Sequence, residues 1–162
     1  MAIQTPQDLF FFNLCAIYDA EQKLTQMLPM LAQESQEQPV KDAFLQHQQE
    51  TLQHVNNLEQ CFQILGRPAI PVENHAVIGL KQDHDAFLQQ GPSAATLTMF
   101  DISAGSKSEY LEIASYTALI DAANALGQTE CAALFQQNLQ QEEAAAKKLA
   151  ALAHNMGAKA AQ

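Results

Sequence analysis

Positive charge is scarce in this chain. Eight Lys and Arg stand against 18 Asp and Glu among 162 residues, a formal net charge of -10. Gripping a phosphate backbone takes clustered cationic side chains, so nucleic acid is excluded as a partner. Anionic membrane surfaces are disfavoured for the same reason. An acidic field suits cations instead, metal ions included. Long hydrophobic runs are also lacking: nothing approaches the ~18 apolar residues of a membrane-spanning helix. The run Leu9 to Tyr18 has no Lys or Arg before it, with Asp8 at its edge and Asn13 inside it, so no secretory signal is expected. Cysteine is sparse, with Cys15, Cys61 and Cys131 odd in number and without a CxxC. That reads as buried thiols in a reducing compartment, and a cytoplasmic location is expected. Strand signals are nearly absent, with no alternating Val/Ile/Thr runs and no Asn-Gly or Asp-Gly turns. The length suits one domain with a real core.

Helix punctuation is abundant. Thr5-Pro6-Gln7-Asp8 sets an N-cap hydroxyl, a first-turn proline and an acid three residues on, ahead of an apolar run. This predicts a first helix over about 6–33. A second is expected over about 39–65, from Pro39 to a stop at Gly66, with Pro68 and Pro71 beyond. Residues 67–93 form a long crossover in which about Asn74 to Leu88 makes a short helix, ended by Gly91-Pro92. Further long helices are predicted over about 94–126, stopping at Gly127, and about 129–156, stopping at Gly157 with a frayed tail. Two hairpins of long helices joined by such a crossover predict an all-α, four-helix bundle.

Each long helix carries a stripe spaced by threes and fours, the period of a bundle seam. The stripes run through Leu14, Ile17, Glu21, Leu24 and Leu28; through Phe44, His47, Thr51, His54 and Leu58, with Glu50 between the histidines; through Gly105, Glu109, Glu112, Tyr116 and Leu119; and through Phe135, Asn138, Glu142, Ala145 and Leu149. Each is interrupted near its middle by a carboxylate. Glu21 lies 15 residues before the first hairpin's midpoint near residue 36 and Glu50 lies 14 after it. Glu112 and Glu142 lie 15 before and 15 after Gly127. At ~1.5 Å rise per residue, paired acids of each hairpin share a height, and an approximate two-fold brings all four into one layer. Glu109, one turn from Glu112, joins them, and His54 and His47 can face the same place. Buried like charges raise one another's pKa, and the usual escape is a cation of matching charge. Two divalent metals held by Glu and completed by His are what such a layer provides for. His75, His84 and His154 are expected at the surface, Asp101, Asp121 and Glu143 in solvent. Tyr18 and Tyr116 are expected to be core aromatics whose hydroxyls bond carboxylates.

The stretches Tyr18-Asp-Ala-Glu21-Gln-Lys-Leu24, His47-Gln-Gln-Glu50-Thr51 and Glu109-Tyr-Leu-Glu112-Ile-Ala-Ser-Tyr116 resemble the YciE/YciF-type branch of the ferritin-like superfamily. The resemblance spans nearly the whole chain. It implies a ferritin-like bundle, a homodimer, and a place among bacterial stress proteins. The Glu109-x-x-Glu112 pair also resembles rubrerythrin, where both such carboxylates serve a di-iron site. Two departures stand out. Ferritin-like di-iron proteins generally carry Glu-x-x-His on the second and fourth long helices. Here the second has Glu50-Thr-Leu-Gln-His54, with His one position late, and the fourth has Ala145 and Ala146 after Glu142. A position often acidic in this branch is thus Ala146, and the second metal depends on Glu109, Glu112, Glu142 and water.

The leading expectation is a binuclear metal protein, with iron as the metal and manganese as the nearest variant, oxidising Fe(II) with dioxygen or peroxide. Glu50 and Glu142 are expected to bridge, Glu21 with His54 or His47 to complete one metal, and Glu109 with Glu112 the other. The rival is a non-enzymatic stress or partner-binding bundle with a structural, partial or empty site; an iron-storage cage subunit is a weaker third. Phe10, Phe11 and Phe12 run consecutively, so at least one is expected to leave the core stripe towards a dimer surface.

Overall fold

The computed structural model describes residues 3–160. Its helices are α1 (Pro6–Glu34), α2 (Gln38–Ile64), α3 (His75–Leu88), α4 (Ala94–Ala125) and α5 (Thr129–Ala160). Thr5 Oγ1 accepts from the Asp8 amide at 3.1 Å and the Asp8 carboxylate accepts from the Thr5 amide at 3.0 Å, closing the expected capping box. Gly66 (φ 61°) and Gly127 (φ 73°) end α2 and α4 in the left-handed conformation that glycine adopts without strain. One expected stop is overturned: α5 runs through Gly157, which keeps a negative φ among alanines that favour helix.

Proline also stands inside α1. Pro29 has no amide hydrogen to donate to the Thr25 carbonyl, and Gln48 Nε2 of α2 donates there at 3.1 Å instead. That bond ties the first hairpin together close to the middle of the bundle.

α1 packs against α2 and α4, and α5 against α4 and α2, which makes an all-α four-helix bundle. The crossover is fastened along α1. The Val72 amide donates to the Cys15 carbonyl at 3.1 Å, and the Asn74 amide to Asp19 Oδ2 at 2.7 Å. The Asn74 side chain caps α3, which lies across α4 and α1 and buries only Val77 and His84.

The core divides into two apolar ends. One gathers Phe10, Leu14, Phe62, Leu119 and Phe135; the other gathers Leu28, Leu31, Phe44, Ile102 and Leu149. A Cβ at Gly105 would come within 3.1 Å of both Leu149 Cδ1 and Phe44 Cε1, so glycine lets α4 approach its neighbours closely. Phe10 and Phe11 are both buried within the chain and Phe12 is half-buried, so the triple phenylalanine is spent on the core more than on a dimer surface. All three cysteines are free and buried. Among the described residues, no helix is long and apolar enough to cross a membrane.

Candidate metal centre

Between the two apolar ends lies a polar layer. Glu21 from α1, His47 and His54 from α2, Glu109 and Glu112 from α4, and Glu142 from α5 are all buried there. They form two donor groups that share Glu142: Glu21, His54 and Glu142 in one, and His47, Glu109, Glu112 and Glu142 in the other. Within each group the candidate ligand atoms lie within 4.8 Å of one another.

The first group is sealed. Its three residues have no solvent exposure. His54 Nε2 lies 2.8 Å from Gln141 Oε1, a carbonyl-type oxygen that can only accept. With a proton on Nε2 for that contact, the other ring nitrogen, Nδ1, faces Glu142 Oε1 at 2.9 Å and Glu21 Oε1 at 3.4 Å. A proton or a cation between Nδ1 and these carboxylates would satisfy the contact. The Tyr116 hydroxyl donates to Glu21 Oε1 and accepts from Asn138 Nδ2 at 2.9 Å, and Asn57 Nδ2 donates to Asn138 Oδ1 at 2.7 Å. Burial, then the charges of Glu21 and Glu142, pushes the Tyr116 hydroxyl well above its ordinary range, so it remains a donor.

The second group is open. His47 Nε2 points inward, 3.2 Å from Glu109 Oε2 and 3.4 Å from Glu142 Oε2. Its Nδ1 faces outward, 3.3 Å from Glu50 Oε2. Burial lowers the His47 pKa, but Glu109 and Glu50 outweigh it and the net shift is up to about 10. Ser108 Oγ donates to Glu112 Oε2 at 3.2 Å. Burial raises Glu112 and Glu142 well above the carboxylate range, reinforced by Glu21 and Glu109 around Glu112 and by Glu112 and Glu21 around Glu142. A cavity of about 80 Å³ reaches this half between α2 and α5, lined by His47, Glu50 and Glu109 inside and by exposed Gln46, Ala144 and Lys148 at its mouth.

Glu50 departs from the expected arrangement. Its side chain is 24% exposed, accepts from Gln46 Nε2 at 2.8 Å, and belongs to neither group. Its position orients His47 from behind, as carboxylates commonly do for metal-binding imidazoles. The residue central to both groups is Glu142. The histidines differ from expectation too: each serves its own half, so α2 provides, through His47, a nitrogen that α5 lacks at Ala145 and Ala146.

Other residues are placed as follows. Tyr18 bonds a carboxylate as expected, that of Glu59 at 2.9 Å, outside the layer. His75, His154, Asp121 and Glu143 are exposed. His84 and Asp101 are buried, against expectation, because α3 folds back over α4 and covers both. Sequence reasoning did not single out Gln141, Asn57 or Ser108. Ser108, one turn before Glu112 on the same face, was the detectable signal; Gln141 and Asn57 had none.

The donor set suits a pair of divalent cations. Four buried carboxylates carry the negative charge that two such ions neutralise, and two imidazoles would complete the set once a cation displaces the proton that the carboxylates hold on His47. Glu21 Oε2, His54 Nδ1, Glu109 Oε2, Glu112 Oε1 and both Glu142 oxygens are buried without a hydrogen-bond partner among the described residues. Leaving one such atom unpaired costs about 1–3 kcal/mol, more if charged, and a cation would satisfy them together.

Comparison with known proteins places this chain among relatives. The family profile described as "Domain of unknown function (DUF892)" matches residues 5–162. Protein YciF of Escherichia coli is 30% identical over 156 residues, covering 96% of this chain and 94% of that protein. The crystal structure of the same E. coli stress protein YciF superposes with a TM-score of 0.91 at 28% identity, covering 97% and 99% of the two chains. YcfI from Rhodopseudomonas palustris, described as a candidate structural protein, gives 0.88 at 31% identity, covering 91% and 94%.

Proposed function

Because this chain belongs to the DUF892 family and buries four carboxylates and two imidazoles in one layer, we propose that it is a binuclear metal-binding stress protein that oxidises Fe(II) with dioxygen or peroxide. Iron is the metal the reading favours, and manganese is the nearest variant for so oxygen-rich a donor set. The observation that carries it is the set of buried ligand atoms in the layer without hydrogen-bond partners. Glu21, His54 and Glu142 would hold one ion; His47, Glu109, Glu112 and Glu142 the other. Bound iron would supply the electrons that reduce the oxidant.

The chain's own residues set the conditions. Gln141 fixes the tautomer of His54 so that Nδ1 is free to ligate. Tyr116 holds Glu21 and keeps its proton. Glu50 aims His47 inward. The cavity past Ala144 and Ala145 admits a small oxidant to the open half and leaves the sealed half dry. The three free thiols fit a reducing, cytoplasmic setting. Association into a homodimer belongs to the same proposal, and sedimentation of the 17.8 kDa chain tests it.

One observation favours a second reading, a metal-free structural bundle. The raised Glu112, Glu142 and His47 can hold protons, and a layer neutralised that way needs no cation. Anaerobic loading with Fe(II), elemental analysis and exposure to air or peroxide separate the two. The metal reading expects iron uptake, oxidant consumption, and loss of about two ions per chain in Glu142→Gln. No uptake by the wild type, at unchanged thermal stability, leaves the structural bundle.

A further inference from the structure

A second constellation of ligand-type side chains lies away from the central layer. Glu34 closes α1, His84 sits on α3 and Asp101 on α4, and their candidate ligand atoms lie within 4.8 Å of one another. His84 Nε2 is 2.8 Å from Glu34 Oε2 and 3.4 Å from Asp101 Oδ1, so both carboxylates converge on one ring nitrogen. Asp101 has no solvent exposure, and among the described residues neither of its oxygens has a hydrogen-bond partner, the nearest approach being that of His84 to Oδ1. A carboxylate buried and unpartnered on a stable helix is costly unless it is neutralised. Burial, then Glu34, pushes its carboxyl up to about 7 against the opposing pull of His84.

The fold goes to some length to assemble this group. Of the fourteen residues of α3 only Val77 and His84 are fully buried, so an imidazole takes one of the helix's two buried positions. Beside it Phe87 stacks on Phe100 with ring centroids 4.0 Å apart, which fixes α3 against α4 and limits rotation of His84.

We propose that Glu34, His84 and Asp101 form a separate binding site for a single divalent transition-metal ion. One imidazole nitrogen with two carboxylates selects borderline ions such as Fe(II), Mn(II), Co(II) or Zn(II), whereas Ca(II) and Mg(II) take oxygen donors alone. Two cavities lie beside His84. On the outer side a shallow pocket includes Met30 and the exposed Lys81. On the inner side a cavity of about 20 Å³, room for about one water, is lined by His84 together with His47, Glu109, Glu112 and leucines of α1. His84 thus borders both an outer pocket and a cavity that reaches ligands of the central layer. Binding at this site is independent of the proposed function; a role in delivering ions inward rests on it.

Equilibrium dialysis against Co(II), with elemental analysis, tests the site on the full chain. Asp101→Asn and His84→Gln are each expected to lose about one ion per chain while the central ions stay, and Glu142→Gln to keep this ion while losing the central ones. Equal Co(II) content in wild type, Asp101→Asn and His84→Gln overturns the proposal. If the wild type binds a single ion that Asp101→Asn removes and Glu142→Gln spares, this site stands and the central reading falls. Should either variant lose its helical circular dichroism, the His84 ring-nitrogen resonances of the wild type decide: Zn(II) is expected to shift them, and unshifted resonances at saturating Zn(II) overturn the site.

Discussion

The two halves of the central layer share Glu142 yet are built differently. The half around Glu21 and His54 is fully buried and held by a chain of side-chain bonds through Tyr116, Asn138 and Asn57. The half around His47, Glu109 and Glu112 has one supporting hydroxyl, Ser108, and opens onto a cavity beside Ala144 and Ala145. The small side chains of α5 that cost this half a ligand also clear its path to solvent. Rigidity on one side and access on the other is a division of labour that suits a pair of ions, one held fast and one reached by a reactant.

Several substitutions break or sharpen that contrast. Glu142→Gln removes the group common to both halves, and metal affinity is expected to fall about 100-fold or more at each, read by titration calorimetry. With both proteins stripped of metal, the variant is expected to be at least as stable as the wild type, since a buried acid is replaced by a neutral amide. His47→Gln and His54→Gln each should cost about one ion per chain, the first sparing the sealed ion and the second the open one. Loss of both ions from either would mean the halves are not separable. Glu50→Gln is expected to weaken only the open half, by about tenfold through a poorly aimed His47. An effect as large as that of Glu142→Gln would make Glu50 a direct ligand.

Tyr116→Phe leaves Glu21 and Asn138 each short of a partner in the sealed half, and should cost about 1–3 kcal/mol by denaturant unfolding with the open-half ion unaffected. The smallest expected effect lies far from the layer. Thr5→Ala removes the α1 cap and should cost about 1 kcal/mol without changing metal content. Within the same cap, hydrogen bonds from Thr5 and Gln4 hold the Asp8 carboxyl below its ordinary value of about 3.8. A lowered folded-state pKa contributes stability that is full above that value and lost as pH falls below it, so Asp8→Asn should flatten the acid limb of the stability curve.

Much of this was legible in the chain because helix signals are local. Thr5 with Asp8, Gly66 and Gly127 mark their boundaries through bonds that span four to six residues, and the structure uses all of them. Gly157 misled because a glycine stops a helix only if the chain turns there, and the alanines around it give no reason to turn. The interruption of each apolar stripe was also visible, as was the common height of Glu21, Glu112 and Glu142, since a fixed rise per residue converts sequence distance into position. Glu50 shares that height but not that direction. It sits between two histidines on α2, and a stripe broad enough to hold all three does not say which of them points at the axis.

The amino-acid sequence by itself determined the helices, their order, the crossover and the level at which charge is buried, because periodicity and capping act within a turn or two of the chain. Only the tertiary structure decided which side chains meet. His47 and not Glu50 enters the layer because packing against α1 and α5 sets the rotation of α2 about its own axis. Glu34, His84 and Asp101 lie on three separate helices, and no local pattern marks them. They converge because the crossover is fastened to α1 at Cys15 and Asp19, which obliges α3 to return over α4 with His84 facing inward.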